Sequence, residues 1–414
     1  MNVGFLSTRL AGTDGVSLET AKIAEITERM GHRTFYCAGE LSEDGPAGRC
    51  IPELHFNHPE IRRIHDDMFG GGTADLRVRI RASAARLRPQ IAEFLEGLDL
   101  LVVENALTIP MNIPLGVVLR DLIFETGIPT LAHHHDFYWE RSRFADCALP
   151  DILNRCFPPE LLPIRHVVIN SLAQQALQER RGIESRVLPN VLDFERGPEE
   201  RQARTAELRE SLRFGPDDLM ILQPTRVVPR KGIERSIELV ARLSECLTPR
   251  RVGLLITHPA GDEGIEYLEN LQAKAHSLEV RLELAAERFA ARREEDRGGN
   301  RRFDLRDAYA CADFVAYPSR IEGFGNAFLE AVFYRRPVMV NRYPVFVADI
   351  EPHGFDVVAI DDVVTEATVR DVVELLLNPE RRDRMTERNY TVASRHFSYC
   401  AARVLLEEIF VPFS

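Results

Sequence analysis

The feature that most constrains this chain is an alternation of short apolar runs with longer amphipathic segments, repeated almost from end to end. Short apolar runs bounded by turn residues suit strands buried on both faces, and the amphipathic stretches between them supply the helices that cover those faces. In the first half the strand candidates are Val3–Ser7, Arg33–Cys37, Leu98–Val103, Pro129–Ala132 and His166–Asn170, with helix candidates at Ser17–Met30, Ala74–Phe94, Leu115–Glu125 and Ser171–Arg181. The pattern breaks at Leu188-Pro189-Asn190-Val191-Leu192-Asp193, and a charged stretch from Glu195 to Arg213 carries no strand signal. It then restarts with strand candidates Leu219–Gln223, Val252–Thr257, Val280–Leu284, Phe314–Ala316 and Pro337–Val340, and ends on helical pieces Thr368–Leu377 and Cys400–Ile409. The expectation is an α/β protein of two doubly wound, Rossmann-like domains, 1–193 and 194–395, facing each other across a cleft. A length of 414 residues suits two domains. Arg288–Arg302, rich in arginine, glutamate and glycine, reads as a solvated loop.

Composition narrows the function classes. Basic minus acidic residues is 52 − 64 = −12, which argues against a nucleic-acid binder relying on a basic surface. No apolar run approaches the roughly 18 residues of a membrane span, and the chain opens directly on a strand-like run, so a cytoplasmic protein is expected. The seven cysteines are scattered and never form Cys-x-x-Cys, which disfavours zinc ribbons, iron–sulfur motifs and a disulfide framework.

Open parallel sheets bind ligands beyond the carboxyl ends of their strands, so the loops after strands carry the candidates. The first strand leads to Gly12 and Gly15 before a helix, which fits either a plain tight turn or a phosphate or sugar site at a helix N-terminus. After a later strand come His133, His134, His135, Asp136, Phe137, Tyr138, Trp139, Glu140 and Arg141. Adjacent histidines do not share one face, so a metal held by all three is not expected. A neutral imidazole aimed into the cleft and oriented by Asp136 would suit a hydroxyl; a loop histidine paired to a carboxylate is the alternative.

In the second half Arg226 closes a strand end and Lys231 opens the next helix. Arginine offers a planar fork to a phosphate and lysine a compact point charge. Only three of the 52 basic residues are lysines, at 22, 231 and 274, so a lysine at 231 points to a need for an ammonium; a solvated helix start is the alternative. The richest stretch, Pro318-Ser319-Arg320-Ile321-Glu322-Gly323-Phe324-Gly325-Asn326, leads into a helix bearing Glu330. Its glycines let backbone N–H groups approach a ligand, and Glu330 sits among apolar neighbours where a carboxylate wants a partner.

These residues together resemble the retaining, nucleotide-sugar-dependent glycosyltransferases of the GT-B fold, in the large group-1 (GT4-type) family. The resemblance rests on Glu322 and Glu330 within Pro-Ser-x-x-Glu-Gly-Phe-Gly, on Pro224-Thr225-Arg226 with Lys231-Gly232, on the 188–193 linker, and on Phe397-Ser398 before the last helix. It implies a hexosyltransferase in which Arg226 and Lys231 bind the donor diphosphate and stabilise the departing nucleotide. Glu330 would hold the ribose, and Glu322 with the N–H groups of Phe324 and Gly325 the transferred sugar. Gly323, Asn326 and Gly15 complete the expected donor contacts, and His135 would touch the reacting centre. No metal or other cofactor is expected, the two cations taking magnesium's place, and 396–414 would pack back on the first domain.

His133, His134, Trp139, Arg141 and Arg143 form the expected acceptor-side group. Two arginines near a histidine suit a carboxylate or phosphate, and Trp139 a sugar ring. The alternative pairs Arg141 and Arg143 with Glu140 or Asp146 and lets Trp139 anchor the loop. The His-His-His-Asp-Phe-Tyr-Trp-Glu-Arg run together with Glu-Gly-Phe-Gly-Asn is similar to transferases that build glycerate-linked sugar solutes. The expected partners are thus a nucleotide sugar and a small, hydroxyl-bearing, anionic acceptor. A nucleotide-sugar epimerase or hydrolase of the same fold is the runner-up. A nicotinamide-dependent dehydrogenase would need a three-glycine fingerprint that the loop after Gly4 lacks.

Overall fold

The computed structural model describes residues 1–410 apart from 13, 43, 44, 46, 199–201, 261–264, 296–298 and 300. Two compact units divide the chain, one of Met1–Val191 with the segment from Tyr399 onward, the other of Leu192–Ser398.

The first unit contains strands β1 (Asn2–Leu6), β2 (Arg33–Ala38), β3 (Arg49–Cys50), β4 (Leu100–Glu104), β5 (Thr130–His134), β6 (Ile164–Val168) and β7 (Ser185–Val187). Its helices are α1 (Gly15–Arg29), α2 (Pro59–Phe69), α3 (Leu76–Leu95), α4 (Ile113–Thr126), α5 (Pro150–Cys156) and α6 (Ser171–Arg181). The sheet is parallel, in the order β3-β2-β1-β4-β5-β6-β7. β4 and β5 are buried along their whole length, which is why their sequences are continuous apolar runs up to Glu104 and His133.

The second unit opens with α7 (Gln202–Ser211) in the charged stretch, then β8 (Leu219–Gln223), α8 (Ile233–Cys246), β9 (Val252–Ile256), α9 (Ile265–Ser277) and β10 (Arg281–Leu284). A small hairpin, β11 (Glu294–Glu295) and β12 (Arg301–Arg302), precedes α10 (Leu305–Cys311), β13 (Phe314–Tyr317), α11 (Asn326–Phe333), β14 (Val338–Asn341), β15 (Val358–Ile360), α12 (Glu366–Leu377) and α13 (Pro379–His396). Its sheet is also parallel, ordered β10-β9-β8-β13-β14-β15. Ile233, Ile237, Val240 and Leu243, at helical spacing on α8, bury one stripe in the same apolar cluster as Leu219 and Ile221 of β8. Val252, Leu254 and Ile256 of β9 complete that side of the cluster.

The last helix, α14 (Tyr399–Phe410), belongs to the first unit, where Leu406, Ile409 and Phe410 are buried in one cluster with Ile23 and Ile26 of α1. Part of 288–302 is fixed rather than solvated. Phe289 is buried, and Arg293 donates to the buried Asp307, whose carboxylate also accepts from the backbone N–H of Asp304 at the start of α10. A salt-bridged carboxylate explains why so charged a segment adheres to the unit. No helix among the described residues is long and apolar enough to cross a membrane.

Candidate functional site

In the second unit the strand order reverses between β8 and β13, the place where a doubly wound sheet opens a crevice at its carboxyl edge. Arg226 and Lys231 follow β8, and Glu322 follows β13. The two loops are stitched together, because Arg320 N donates to Arg230 O at 2.8 Å and Arg230 Nη1 to Ile321 O at 2.9 Å. Gly232 permits this approach. Its φ is +61°, and a Cβ there would stand 2.5 Å from the carbonyl oxygen of Pro318. Gln223, buried at the end of β8, donates to Lys231 O at 2.9 Å and so fixes the lysine's backbone.

The Lys231 ammonium pairs with Glu322 across these loops, and the Arg230 guanidinium lies 3.6 Å from the same carboxylate. Both members of the pair are almost fully buried, with side chains 10% and 11% exposed. Burial lowers the lysine's pKa, with Arg230 and Arg226 adding to the effect and Glu322 opposing it. Burial alone would raise Glu322, but the lysine, helped by the hydroxyls of Ser319 and Tyr317, outweighs it and holds the carboxyl below its usual range. Arg226 is exposed and has no carboxylate partner among the described residues, which leaves a free guanidinium fork beside the pair.

Glu322 leads into Gly323, Phe324 and Gly325, and Asn326 starts α11. Gly325 has φ +134°, and a Cβ would collide with the Tyr343 hydroxyl at 2.1 Å; that hydroxyl donates to Phe324 O at 2.8 Å. The Phe324 ring is buried and packs edge-on against Phe397, so only its backbone is available to a ligand. Glu330, one turn along α11, accepts from the buried Tyr309 hydroxyl at 2.7 Å. This is the partner that a carboxylate among apolar neighbours needs.

The first unit gathers the histidines differently from the sequence expectation. Side chains alternate along β5, so His133 and His135 share one side and His134 takes the other. His135 Nε2 is 2.8 Å and His133 Nδ1 3.0 Å from Glu104 Oε2, on the neighbouring strand. Glu104, not Asp136, therefore orients His135; Asp136 accepts instead from Asn105 Nδ2 at 2.9 Å and from Arg141. Burial would raise the Glu104 pKa, but the two imidazoles bring it down to about 2. His133 and His134, expected among acceptor contacts, are each 1% exposed. His134 is bonded to Thr108 and, at 2.9 Å, to His166, and burial with three neighbouring imidazoles keeps its pKa well below the ordinary histidine value. Both are spent inside the unit.

Trp139 stacks on Phe137 with ring centroids 4.3 Å apart, and the Arg180 guanidinium lies over its ring. Arg141 pairs with Asp136 rather than with Glu140 or Asp146, and Arg143 lies over the Phe144 ring. Gly15 is the first residue of α1, whose N-terminus is capped by the Asp14 carboxylate accepting from Ser17 N at 3.1 Å. That carboxylate occupies the place an anionic donor group would take, so the helix start does not favour the expected contact at Gly15. The ligand atoms of Glu104, His133 and His135 all lie within 4.8 Å of one another, close enough for a metal ion. Two histidines and a glutamate thus converge where three histidines could not.

A family model described as "Glycosyl transferases group 1" matches residues 204–392. Mannosylglucosylglycerate synthase of Thermotoga maritima is 33% identical over 431 residues, spanning 96% of this chain and 97% of that protein. The chain belongs to the group 1 glycosyltransferases. Mannosylglucosylglycerate synthase of Petrotoga mobilis is also 33% identical, over 87% of this chain and 86% of its own. Among solved structures, Anabaena HepE in complex with UDP-glucose superposes with a TM-score of 0.67 over the whole of both chains at 16% identity. Sucrose-phosphate synthase from Thermosynechococcus elongatus gives 0.65 at 15% identity, covering 100% of this chain and 98% of that one. These likenesses establish the GT-B fold.

Within this glycosyltransferase several residues at the strand ends belong to no motif noticed in the sequence. Glu104 and Asn105 are the clearest case. His258, after β9, is another: Val227 N donates to Pro259 O at 3.3 Å, which sets the two loops side by side. Burial, then Lys231 and Arg226, push its imidazole down to about 4, so it is neutral beside the two cations. Alternation along β5 was the one available signal for the histidines; nothing local marked Glu104, which lies 31 residues from His135.

Proposed function

We propose that this chain is a retaining, metal-independent hexosyltransferase that moves a sugar from a nucleotide-diphosphate sugar to a small, anionic, hydroxyl-bearing acceptor of the glycerate-linked sugar class. The observation that carries the reading is the Arg226, Lys231 and Glu322 constellation at the switch point of the second sheet, in a chain so similar to enzymes named mannosylglucosylglycerate synthase. Arg226 and Lys231 take the diphosphate. As the bond to the sugar breaks, negative charge builds on the leaving phosphate, and the two cations stabilise it. Glu330 holds the ribose. Glu322 and the N–H groups of Phe324 and Gly325 hold the sugar, with Gly323 and Asn326 completing the loop.

His135 supplies a hydrogen bond at the reacting centre. Arg141 and Arg143 take the acceptor's anionic group. The exposed Arg141–Asp136 pair is worth no more than about 1 kcal/mol, so a ligand carboxylate can replace Asp136.

The test is to incubate the full chain with nucleotide sugars, with and without a glycerate-bearing sugar, and to follow products by NMR. Acceptor-dependent product with the donor's anomeric configuration is expected. An inverted product contradicts retention, and conversion of the donor alone marks an epimerase or hydrolase. Activity is also expected to survive excess EDTA, because Arg226 and Lys231 would supply the positive charge that a metal would otherwise bring to the diphosphate. Complete loss, restored only by a divalent ion, would overturn the metal-free reading.

A further inference from the structure

Two consecutive residues at the end of β4, Glu104 and Asn105, are built around His135 in a way that packing does not require. Glu104 is fully buried, and an apolar residue would join two strand ends at less cost than a carboxylate removed from water. Its Oε2 lies 2.8 Å from His135 Nε2. Asn105 has φ +60°, in the left-handed region that side chains other than glycine seldom adopt. From there its Oδ1 accepts from His135 N at 3.1 Å, its Nδ2 reaches Asp136, and its own N–H donates to His133 O at 3.0 Å. Ser7, at the end of β1, donates to Glu104 O at 2.9 Å and holds the carboxylate's backbone in turn.

We propose that Glu104 and Asn105 are positioning residues for His135, Glu104 fixing the ring through Nε2 and Asn105 fixing the backbone, so that Nδ1 is the atom presented to substrate. The proposal rests on the reading that His135 meets the reacting sugar. Nδ1 makes no hydrogen bond among the described residues, whereas Nε2 is engaged. With Nε2 held by Glu104, Nδ1 is the ring atom left to meet a sugar hydroxyl or a phosphate oxygen.

The experiment compares Asn105→Gly, Glu104→Gln and His135→Ala in the full chain. Asn105→Gly keeps the left-handed backbone available while deleting both side-chain bonds, and Glu104→Gln keeps the shape without the charge. Histidine ring nitrogens are read by long-range ¹H–¹⁵N NMR, with the His135 signals assigned by their absence in His135→Ala. Both positioning variants are expected to lower turnover about ten- to a hundredfold with donor KM changed by less than about threefold. The Nε2 resonance of His135 should move in Glu104→Gln. If Glu104→Gln does not fold, Asn105→Gly carries the comparison.

Normal turnover and unmoved ring signals in folded variants, with His135→Ala inactive, overturn the positioning role. Full activity of His135→Ala defeats the reading of His135 at the reacting centre, and the ring signals then decide positioning alone. A stoichiometric metal in the purified chain, whose removal by chelator shifts the His133 and His135 signals together, makes the cluster a metal site and overturns the proposal.

Discussion

Arg226→Ala is expected to lower turnover about a hundredfold and to leave the melting temperature unchanged, whereas Lys231→Ala is expected to lower both. The shared loss follows from the role. A fixed cation facing charge that appears only in the transition state is worth on the order of 3 kcal/mol of barrier. The difference follows from the surroundings. Arg226 is exposed without a carboxylate partner among the described residues, so its removal strands nothing. Lys231 is the buried partner of Glu322, and its removal leaves an enclosed carboxylate with neutral hydroxyl donors and the more distant Arg230 in place of a directly bonded ammonium. Breaking such a pair costs about 3 kcal/mol, or roughly 10 °C for a unit of this size. Thermal melts beside initial rates decide it. Near-normal turnover in either variant would move the phosphate site elsewhere, and equal melting temperatures would contradict the buried pair.

The strands that carry this site could be anticipated because they are buried. β8 and α6 coincide with the segments expected from sequence, since each is an uninterrupted apolar run or a clean helical period. Several of the elements that escaped are those whose burial leaves little trace. β3 and β7 are two and three residues long, and β15 exposes Ala359 at its centre. α13 buries Thr386 and Asn389 along with Met385 and Ala393, so its inner face is half polar and shows no apolar stripe.

The site divides along the same line. Arg226, Lys231, Glu322 and Glu330 lie in two continuous strand-to-helix segments, where neighbouring residues in sequence stay neighbours in space. Glu104 and Asn105 meet their partners by strand pairing within the first unit, and His258 by loop pairing within the second, and such partners cannot be guessed from neighbours in the chain. The histidines part company for a simpler reason. Three adjacent residues on a strand cannot act on one face, and β5 sends His134 to the side of His166 while His133 and His135 turn to Glu104.

Replacing Glu322 by glutamine should move the alkaline limb of the kcat/KM profile to lower pH, besides lowering turnover at neutral pH on the order of a hundredfold. The profile of kcat/KM reports groups of the free enzyme, where Lys231 and Glu322 face each other. Burial already lowers the ammonium's pKa from 10.5, and the Glu322 carboxylate opposes that fall while Arg230 and Arg226 add to it. Glutamine matches the shape but carries no charge, so burial and the two guanidiniums act unopposed and the lysine gives up its proton at lower pH. A neutral amine cannot stabilise the leaving diphosphate, and the rate falls with it.

The acid side gives an independent check on the same pair. Because the folded carboxyl sits below its ordinary value of 4.5, Glu322 adds stability that is present above that pH and fades as the pH drops through the folded value. The wild-type chain should therefore lose melting temperature below about pH 4.5 by an increment that Glu322→Gln lacks. An alkaline limb that stays in place in Glu322→Gln would mean that the charge of Lys231 is not what the reaction uses.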